Sequence, residues 1–293
     1  MRNQTLSIIG VGLLGGSIGL AAKERLKGVR VIGYGHRAST LQRALKLKAI
    51  DQPADNLAQA VAGADLVILC TPVGLFGKIL TDITPHLKDN AIVTDVGSTK
   101  ASVVKAGEKI IGRRFVGSHP MAGSEKRGVE YATTNLFENA LCILTPTRRS
   151  DPAAVRMVSE FWKTLGCRLI KISPTEHDRM LAEVSHLPHV AAAALMGIPS
   201  QRATKLCGKG FLDTTRIAAG DGALWRDILL DNRQNMLSSL AKLRGELETV
   251  ERLIKKGDQA GLARWLDERR RKRERLTPNR TLDKLWGRLD SRT

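Results

Sequence analysis

Gly10, Gly12 and Gly15 form a G-x-G-x-x-G that follows a short apolar run and opens a helical stretch. Glycine at the first two places permits a tight turn and lets a pyrophosphate approach the backbone. The helix N-terminus behind it offers N–H donors and positive dipole to that charge. This is the chemistry of dinucleotide binding. A plain strand-to-helix turn is the bland alternative, and the strand–helix alternation that follows argues against it. The second expected strand ends Gly33-Tyr34-Gly35-His36-Arg37, without the carboxylate that would hold the ribose 2′-hydroxyl of NAD. His36 and Arg37, followed by Ser39 and Thr40, offer charge-assisted hydrogen bonds to the extra phosphate of NADP, so NADP is expected ahead of NAD, with use of both left open. The cofactor-binding set is therefore Gly10, Gly12, Leu13, Leu14, Gly15, His36, Arg37, Ser39 and Thr71.

Catalytic groups of such a fold belong beyond the carboxyl ends of the strands. Asp95-Val96-Gly97-Ser98-Thr99-Lys100 follows the fourth expected strand, and Gly117-Ser118-His119-Pro120-Met121-Ala122-Gly123-Ser124-Glu125 follows the fifth. A histidine there, with serine hydroxyls on the neighbouring loop, can accept a proton from an alcohol while hydride leaves the same carbon. By residue type alone, His119 serves equally well as an ordinary loop residue. His186 and His189 stand three apart on a helical stretch and share roughly one face. Two histidines with no matching acidic partner make a poor metal site, and no metal is expected.

These residues need a scaffold, and 293 residues at 42% hydrophobic can bury one large or two ordinary cores. Short β-rich runs at 6–9, 30–34, 66–70, 91–95, 115–118, 141–144 and 168–171 alternate with helical stretches, the rhythm of a parallel sheet flanked by helices. After Ser173-Pro174 the β-rich runs stop. Long helical segments follow, among them 182–196, 225–256 and 259–275. The expected organisation is an α/β Rossmann-type domain over 1–173 and an all-α domain over 174–293. Four scattered cysteines suggest neither a zinc knuckle nor a disulfide framework and suit a reducing compartment. The first residues lack the plan of a signal peptide, and no apolar run approaches the ~20 residues of a membrane span. A soluble, cytoplasmic protein is expected.

The formal net charge of +18 would also fit a nucleic-acid binder. Part of it is local: residues 251–293 hold 14 Lys and Arg against 7 Asp and Glu, and 269–275 alone holds six of those positives. With few aromatic side chains for stacking, a solvated helix end is favoured over a phosphate-binding tail, and nucleic acid is not expected as a partner.

Several segments taken together resemble the prephenate and arogenate dehydrogenases of tyrosine biosynthesis. They are the loop Gly10–Gly15 with Gly16-Ser17, Thr94-Asp95-Val96-Gly97-Ser98-Thr99-Lys100, Ser118-His119-Pro120-Met121-Ala122-Gly123-Ser124-Glu125, Asn135-Leu136-Phe137, Ser185-His186-Leu187-Pro188-His189 and Phe211-Leu212-Asp213-Thr214-Thr215-Arg216-Ile217-Ala218. They fall in the family's order between residues 6 and about 235. The resemblance implies hydride transfer from the hydroxyl-bearing ring carbon to a nicotinamide, with loss of the ring carboxylate as CO₂. It implies His119 as the group that draws off the hydroxyl proton and Ser98 as the group that fixes hydroxyl and imidazole in register. It makes Arg216 the guanidinium for a substrate carboxylate and puts His189, Glu125, Asp213 and Trp225 around the same pocket. His186 is left as a helix-packing residue. The helical domain is expected to form a homodimer, which agrees with the long amphipathic stretch 225–256. Neither a fused chorismate mutase nor an ACT module is recognisable. Lys126 and Arg127 beside Glu125 add positive charge, which disfavours the extra ammonium of arogenate and tilts the expectation to prephenate. Other Rossmann enzymes with helical second domains do not account for His119, Arg216 and Ser98 together.

Overall fold

The computed structural model describes residues 3–123 and 126–276. All seven expected strands form, and a two-residue eighth joins them. They are β1 (Thr5–Ile9), β2 (Arg30–Tyr34), β3 (Gln52–Pro53), β4 (Leu66–Leu69), β5 (Ile92–Asp95), β6 (Phe115–Pro120), β7 (Leu141–Thr145) and β8 (Arg168–Lys171). They lie in one sheet in the order β3-β2-β1-β4-β5-β6-β7-β8. Helices α1 (Leu13–Arg25), α2 (Ala38–Lys46), α3 (Leu57–Val61), α4 (Phe76–Ile83), α5 (Ala101–Ile110) and α6 (Pro152–Thr164) connect them.

The alternation of the strand side chains explains why the sheet is covered twice. In β4, Leu66 and Ile68 join one apolar cluster with Ile18, Ala21 and Ala22 of α1 and Phe161 and Trp162 of α6. Val67 and Leu69 join the opposite cluster with Phe76 and Leu80 of α4 and Val103 and Val104 of α5. A strand buried on both faces reads as a continuous apolar run, as β4 does.

The sheet departs from the parallel rhythm at one place: β7 runs antiparallel to β6, with His119 opposite Ile143. Between these strands the described residues make a short 3-10 turn (Val129–Tyr131) and no crossover helix. Without a crossover the chain can return only in the opposite direction. β6 also runs two residues further than expected, so that His119 lies inside the strand.

Beyond β8, Ser173 caps α7 (Pro174–Leu181) by accepting a hydrogen bond from the Glu176 N–H at 3.2 Å, with Pro174 at the first helical position. A wide π turn (Ala182–His186) leads into α8 (Leu187–Met196). Then come α9 (Gln201–Thr204), α10 (Lys209–Thr215), a 3-10 turn (Arg216–Ala219), α11 (Gly222–Asp231), α12 (Arg233–Lys255) and α13 (Gln259–Arg275). A first compact unit ends at Asn232 and a second begins at Arg233, so the expected domain boundary at 173/174 falls inside the first unit. The single helix expected over 225–256 is broken at Asn232, whose side chain donates to the Asp178 carbonyl at 2.7 Å. That tertiary bond replaces helix continuity.

In the second unit, α12 and α13 pack together. The Arg269 guanidinium lies 4.4 Å from the Trp265 ring centroid and binds Glu246 at 2.6 Å, and Arg270 binds Asp267 and Glu274. Part of the basic run is thus matched by carboxylates of its own hairpin. Among the described residues no helix is long and apolar enough to cross a membrane.

Candidate active site

The glycine loop has the form that a dinucleotide needs. Gly10 sits at φ +103°, a left-handed conformation that side-chain-bearing residues rarely adopt, and a Cβ there would lie 2.8 Å from the Cys70 carbonyl carbon. Gly12 caps α1 without any side-chain hydrogen bond, and a Cβ on it would meet nothing within 4 Å. The space over the helix N-terminus is therefore open, and its first N–H groups, on Leu13 and Leu14, have no side-chain cap. Gly15 has no such room, since a Cβ would run into the Gly10 carbonyl oxygen. Beside the loop, Thr71 Oγ1 is buried without a partner. His36, Arg37 and Ser39 are exposed just beyond β2, where His36 Nε2 accepts from Arg37 Nε at 3.1 Å. An open, uncapped helix N-terminus, an orphaned hydroxyl and a basic rim fit a nicotinamide dinucleotide. Four strand spacings of ~4.8 Å put roughly 19 Å between the end of β2 and that of β6, which separates the two ends of this site.

His119 lies at the far end, 8% exposed, in β6. Its Nδ1 is 2.9 Å from His177 Nε2, and His177 Nδ1 is 2.8 Å from Asp178 Oδ1. Asp178 also accepts from the Lys100 N–H at 2.7 Å and the Ala101 N–H at 2.8 Å, the first turn of α5. Proton placement follows from that chain. A carboxylate only accepts, so His177 carries its proton on Nδ1 and accepts at Nε2. His119 then donates from Nδ1 and keeps the lone pair of Nε2 bare. Burial pushes the Asp178 carboxyl up, but the His177 hydrogen bond and the two backbone N–H groups bring it below its usual value. Burial holds the His119 imidazole well below its ordinary range, and neighbouring His177, Lys100 and His186 press the same way. His177 is lowered by burial against the opposing pull of Asp178. The group is a neutral base with one fixed face.

Below it, Lys100 is fully buried and its ammonium pairs with Asp95 at the end of β5. Asp95 in turn accepts from the N–H of Ser118, the residue before His119, at 3.2 Å, and from Gly97 at 2.7 Å. Burial pushes the Asp95 carboxyl up despite Lys100 and those donors. Ser118 Oγ is 2.9 Å from Thr94 Oγ1 and accepts from Trp162 Nε1 at 3.0 Å. β6 is therefore tied to β5 and α6 at the position next to the base.

On the helical side, the rings of His189 and Trp225 stack at 3.6 Å between centroids and 9° between planes. His186 is buried completely and meets Trp225 edge-on at 6.2 Å. Burial pushes the His186 imidazole down to about 4, and lowers His189 also. The Ser98 backbone is a neighbour of the His186 ring, and Asn232 Nδ2 is 3.1 Å from its Nδ1. Ser98 itself is half-buried in the turn between β5 and α5. Asp213 and Arg216 are exposed, on α10 and on the 3-10 turn that pack against α8, the helix carrying His189. Glu125 lies outside the described residues. Arg127, expected to add charge beside it, is ion-paired with Asp221 at the start of α11, and Lys126 lies 5.2 Å from the Tyr131 ring centroid. The positive charge of Arg127 is therefore not free to select among substrates.

His177, Asp178 and Asn232 are absent from the residues singled out in the sequence, and Asp95 and Lys100 were there as motif letters without a role. The nearest available signal was the Ser173-Pro174-x-Glu176 helix start, which puts His177 and Asp178 in the opening turns of α7.

The chain matches the family model for the nucleotide-binding domain of prephenate dehydrogenase over residues 18–171 and that for its dimerization domain over 173–268. It is 37% identical to a prephenate dehydrogenase of Bacillus subtilis over 270 residues, covering 89% of this chain and 73% of that protein. It is 34% identical to a cyclohexadienyl dehydrogenase of Zymomonas mobilis, covering 86% and 89%. The crystal structure of the Aquifex aeolicus prephenate dehydrogenase, in complex with hydroxyphenyl propionate and NAD+, superposes with a TM-score of 0.89 at 35% identity, over 94% of this chain and 98% of that one. A Synechocystis arogenate dehydrogenase superposes at 0.80 with 30% identity, over 93% and 100%. The two family models together span most of the Rossmann sheet and the helical second part, and the chain belongs to the prephenate dehydrogenase family of NAD(P)-dependent oxidoreductases.

Proposed function

We propose that this enzyme oxidatively decarboxylates prephenate to 4-hydroxyphenylpyruvate, with His119 as the base. The observation that carries the role of His119 is the chain His119–His177–Asp178, which leaves one bare imidazole nitrogen at the end of β6. A dinucleotide held at the glycine loop would supply the hydride acceptor. His119 Nε2 takes the hydroxyl proton as hydride leaves the carbon bearing it, and can return that proton to the phenolate once CO₂ has gone. Positive charge on the imidazole is shared toward His177 and Asp178, whose carboxylate is anchored on α5. Ser98, in the adjoining turn, is the candidate to hold the hydroxyl in register. Arg216, with Asp213 nearby, is the candidate for a substrate carboxylate, which a guanidinium engages bidentately. His189, Trp225 and Glu125 complete the proposed pocket.

His36, Arg37 and Ser39 support NADP as the preferred cofactor, with NAD as the second reading because the Aquifex relative was crystallised with NAD+. Arogenate is the second substrate, favoured by the likeness to the Synechocystis enzyme. A homodimer is supported by the dimerization-domain match and by the exposed Ile198, Leu206 and Leu212 on the helical side. Four free cysteines accord with a cytoplasmic setting.

The test crosses prephenate and arogenate with NAD and NADP and follows reduced-cofactor formation. Prephenate with NADP is expected to give the highest kcat/KM, and His119→Asn to lose about 10²–10⁴-fold in kcat while still binding cofactor. Four silent combinations with folded wild-type protein would remove the assignment.

A further inference from the structure

We infer that Gly220 is a positioning residue for substrate binding, because the bare backbone there lets the Trp225 indole lie flat on His189. The inference rests on the dehydrogenase reading above. Gly220 has φ −62° and ψ 156°, a conformation open to any residue, so glycine is needed there for space and not for backbone freedom. A Cβ would stand 2.8 Å from Trp225 Cδ1, 2.9 Å from His189 Cε1, and closer still to Trp225 Nε1. All three atoms belong to rigid rings, so nothing there yields by bending a flexible end.

The backbone cannot retreat either. Gly220 N–H donates to the Ile217 carbonyl at 3.2 Å, and the next residue, Asp221, caps α11 through the Leu224 N–H at 2.7 Å while binding the Arg127 guanidinium. The fully buried His186 also meets the indole edge-on. A side chain at 220 therefore separates the two stacked rings. His189, 6% exposed and with Nδ1 lacking a partner of ordinary geometry, would lose the surface that fixes its plane. The ligand class this affects is the compact, carboxylate-bearing ring already proposed; the dinucleotide site at α1 is served by other residues.

The experiment is a double-mutant cycle with Gly220→Ala, Trp225→Ala and both together, read by kinetics and by the His189 Cε1–H resonance. That resonance is displaced by the indole ring current and is assigned by its loss in His189→Gln. Gly220→Ala is expected to raise KM for prephenate about 10-fold, with kcat within about 3-fold and cofactor KM unchanged. In the Trp225→Ala background the same change should alter KM less than about 2-fold, since the stack is already gone. The resonance should move toward its unstacked position in Gly220→Ala. Equal KM effects in both backgrounds, or an active Gly220→Ala with unchanged KM and resonance, would overturn the inference. If wild-type protein turned over neither prephenate nor arogenate, the reaction assignment would fall, and the resonance alone would still decide whether Gly220 holds the stack.

Discussion

His119 has one bare nitrogen because of a residue it does not touch. Asp178 sets the proton on His177, and His177 sets the proton on His119, so the orientation of the proposed base is decided two side chains away. His177→Leu removes the acceptor and one of the neighbours that depress His119. It is expected to lower kcat about 10- to 100-fold and to move the acid limb of the kcat/KM profile upward. His177→Gln keeps an acceptor and should fall between this variant and wild type. In wild type that limb should lie below the ordinary histidine value near 6.5, since the neutral form is the one proposed to act and burial favours it. Much of this was not visible in the sequence. His119 stands out because it follows a strand and precedes Pro120, but its partner is 58 residues further on, in a helix that looks like any other. The same distance hid Asn232, which reaches the Asp178 carbonyl and the His186 imidazole.

The glycine loop is the element that reads most directly, because its chemistry is local: strand, turn and helix are contiguous and each glycine answers to backbone geometry. The structure separates the roles of two of them. Gly12 faces open space, so Gly12→Ala should weaken dinucleotide binding at least about 10-fold with the melting temperature little changed. Gly15 packs on the loop itself, so Gly15→Ala should lose affinity and also about 1–3 kcal/mol of stability from overpacking. Titration calorimetry for binding and thermal melts for stability distinguish the two. The strands were equally legible, from apolar runs between turns. What could not be read was β3, two residues long, and the long helix that stops at Asn232 for a tertiary hydrogen bond. The reversal of β7 was readable in principle, since residues 121–140 hold no helical pattern to carry a parallel crossover.

Across the whole molecule, four histidines are buried and depressed together: His119, His177, His186 and His189. A histidine whose folded value lies below its unfolded one contributes stability above about pH 6.5 and loses it as pH falls toward the folded value, because the unfolded chain binds the proton more readily. For His186, with a folded value of about 4, the full loss is on the order of 3 kcal/mol. The melting temperature is expected to fall steadily between pH 7 and pH 5, and His186→Asn should flatten that slope even where it lowers the plateau. A chain whose stability did not change over that interval would contradict the buried, neutral state of these rings. The +18 charge, legible at once, says little about any of this, because part of it is spent within the α12–α13 hairpin. Asp178 has one more effect. The first amides of a helix ordinarily exchange with solvent deuterium at once, having no carbonyl to bind, yet those of Lys100 and Ala101 are bound to a carboxylate from 78 and 77 residues away. Their exchange is therefore slowed by α7 and not by their own helix, and its rate measures how often α7 lifts from α5, which is also how often the proposed base loses its orientation.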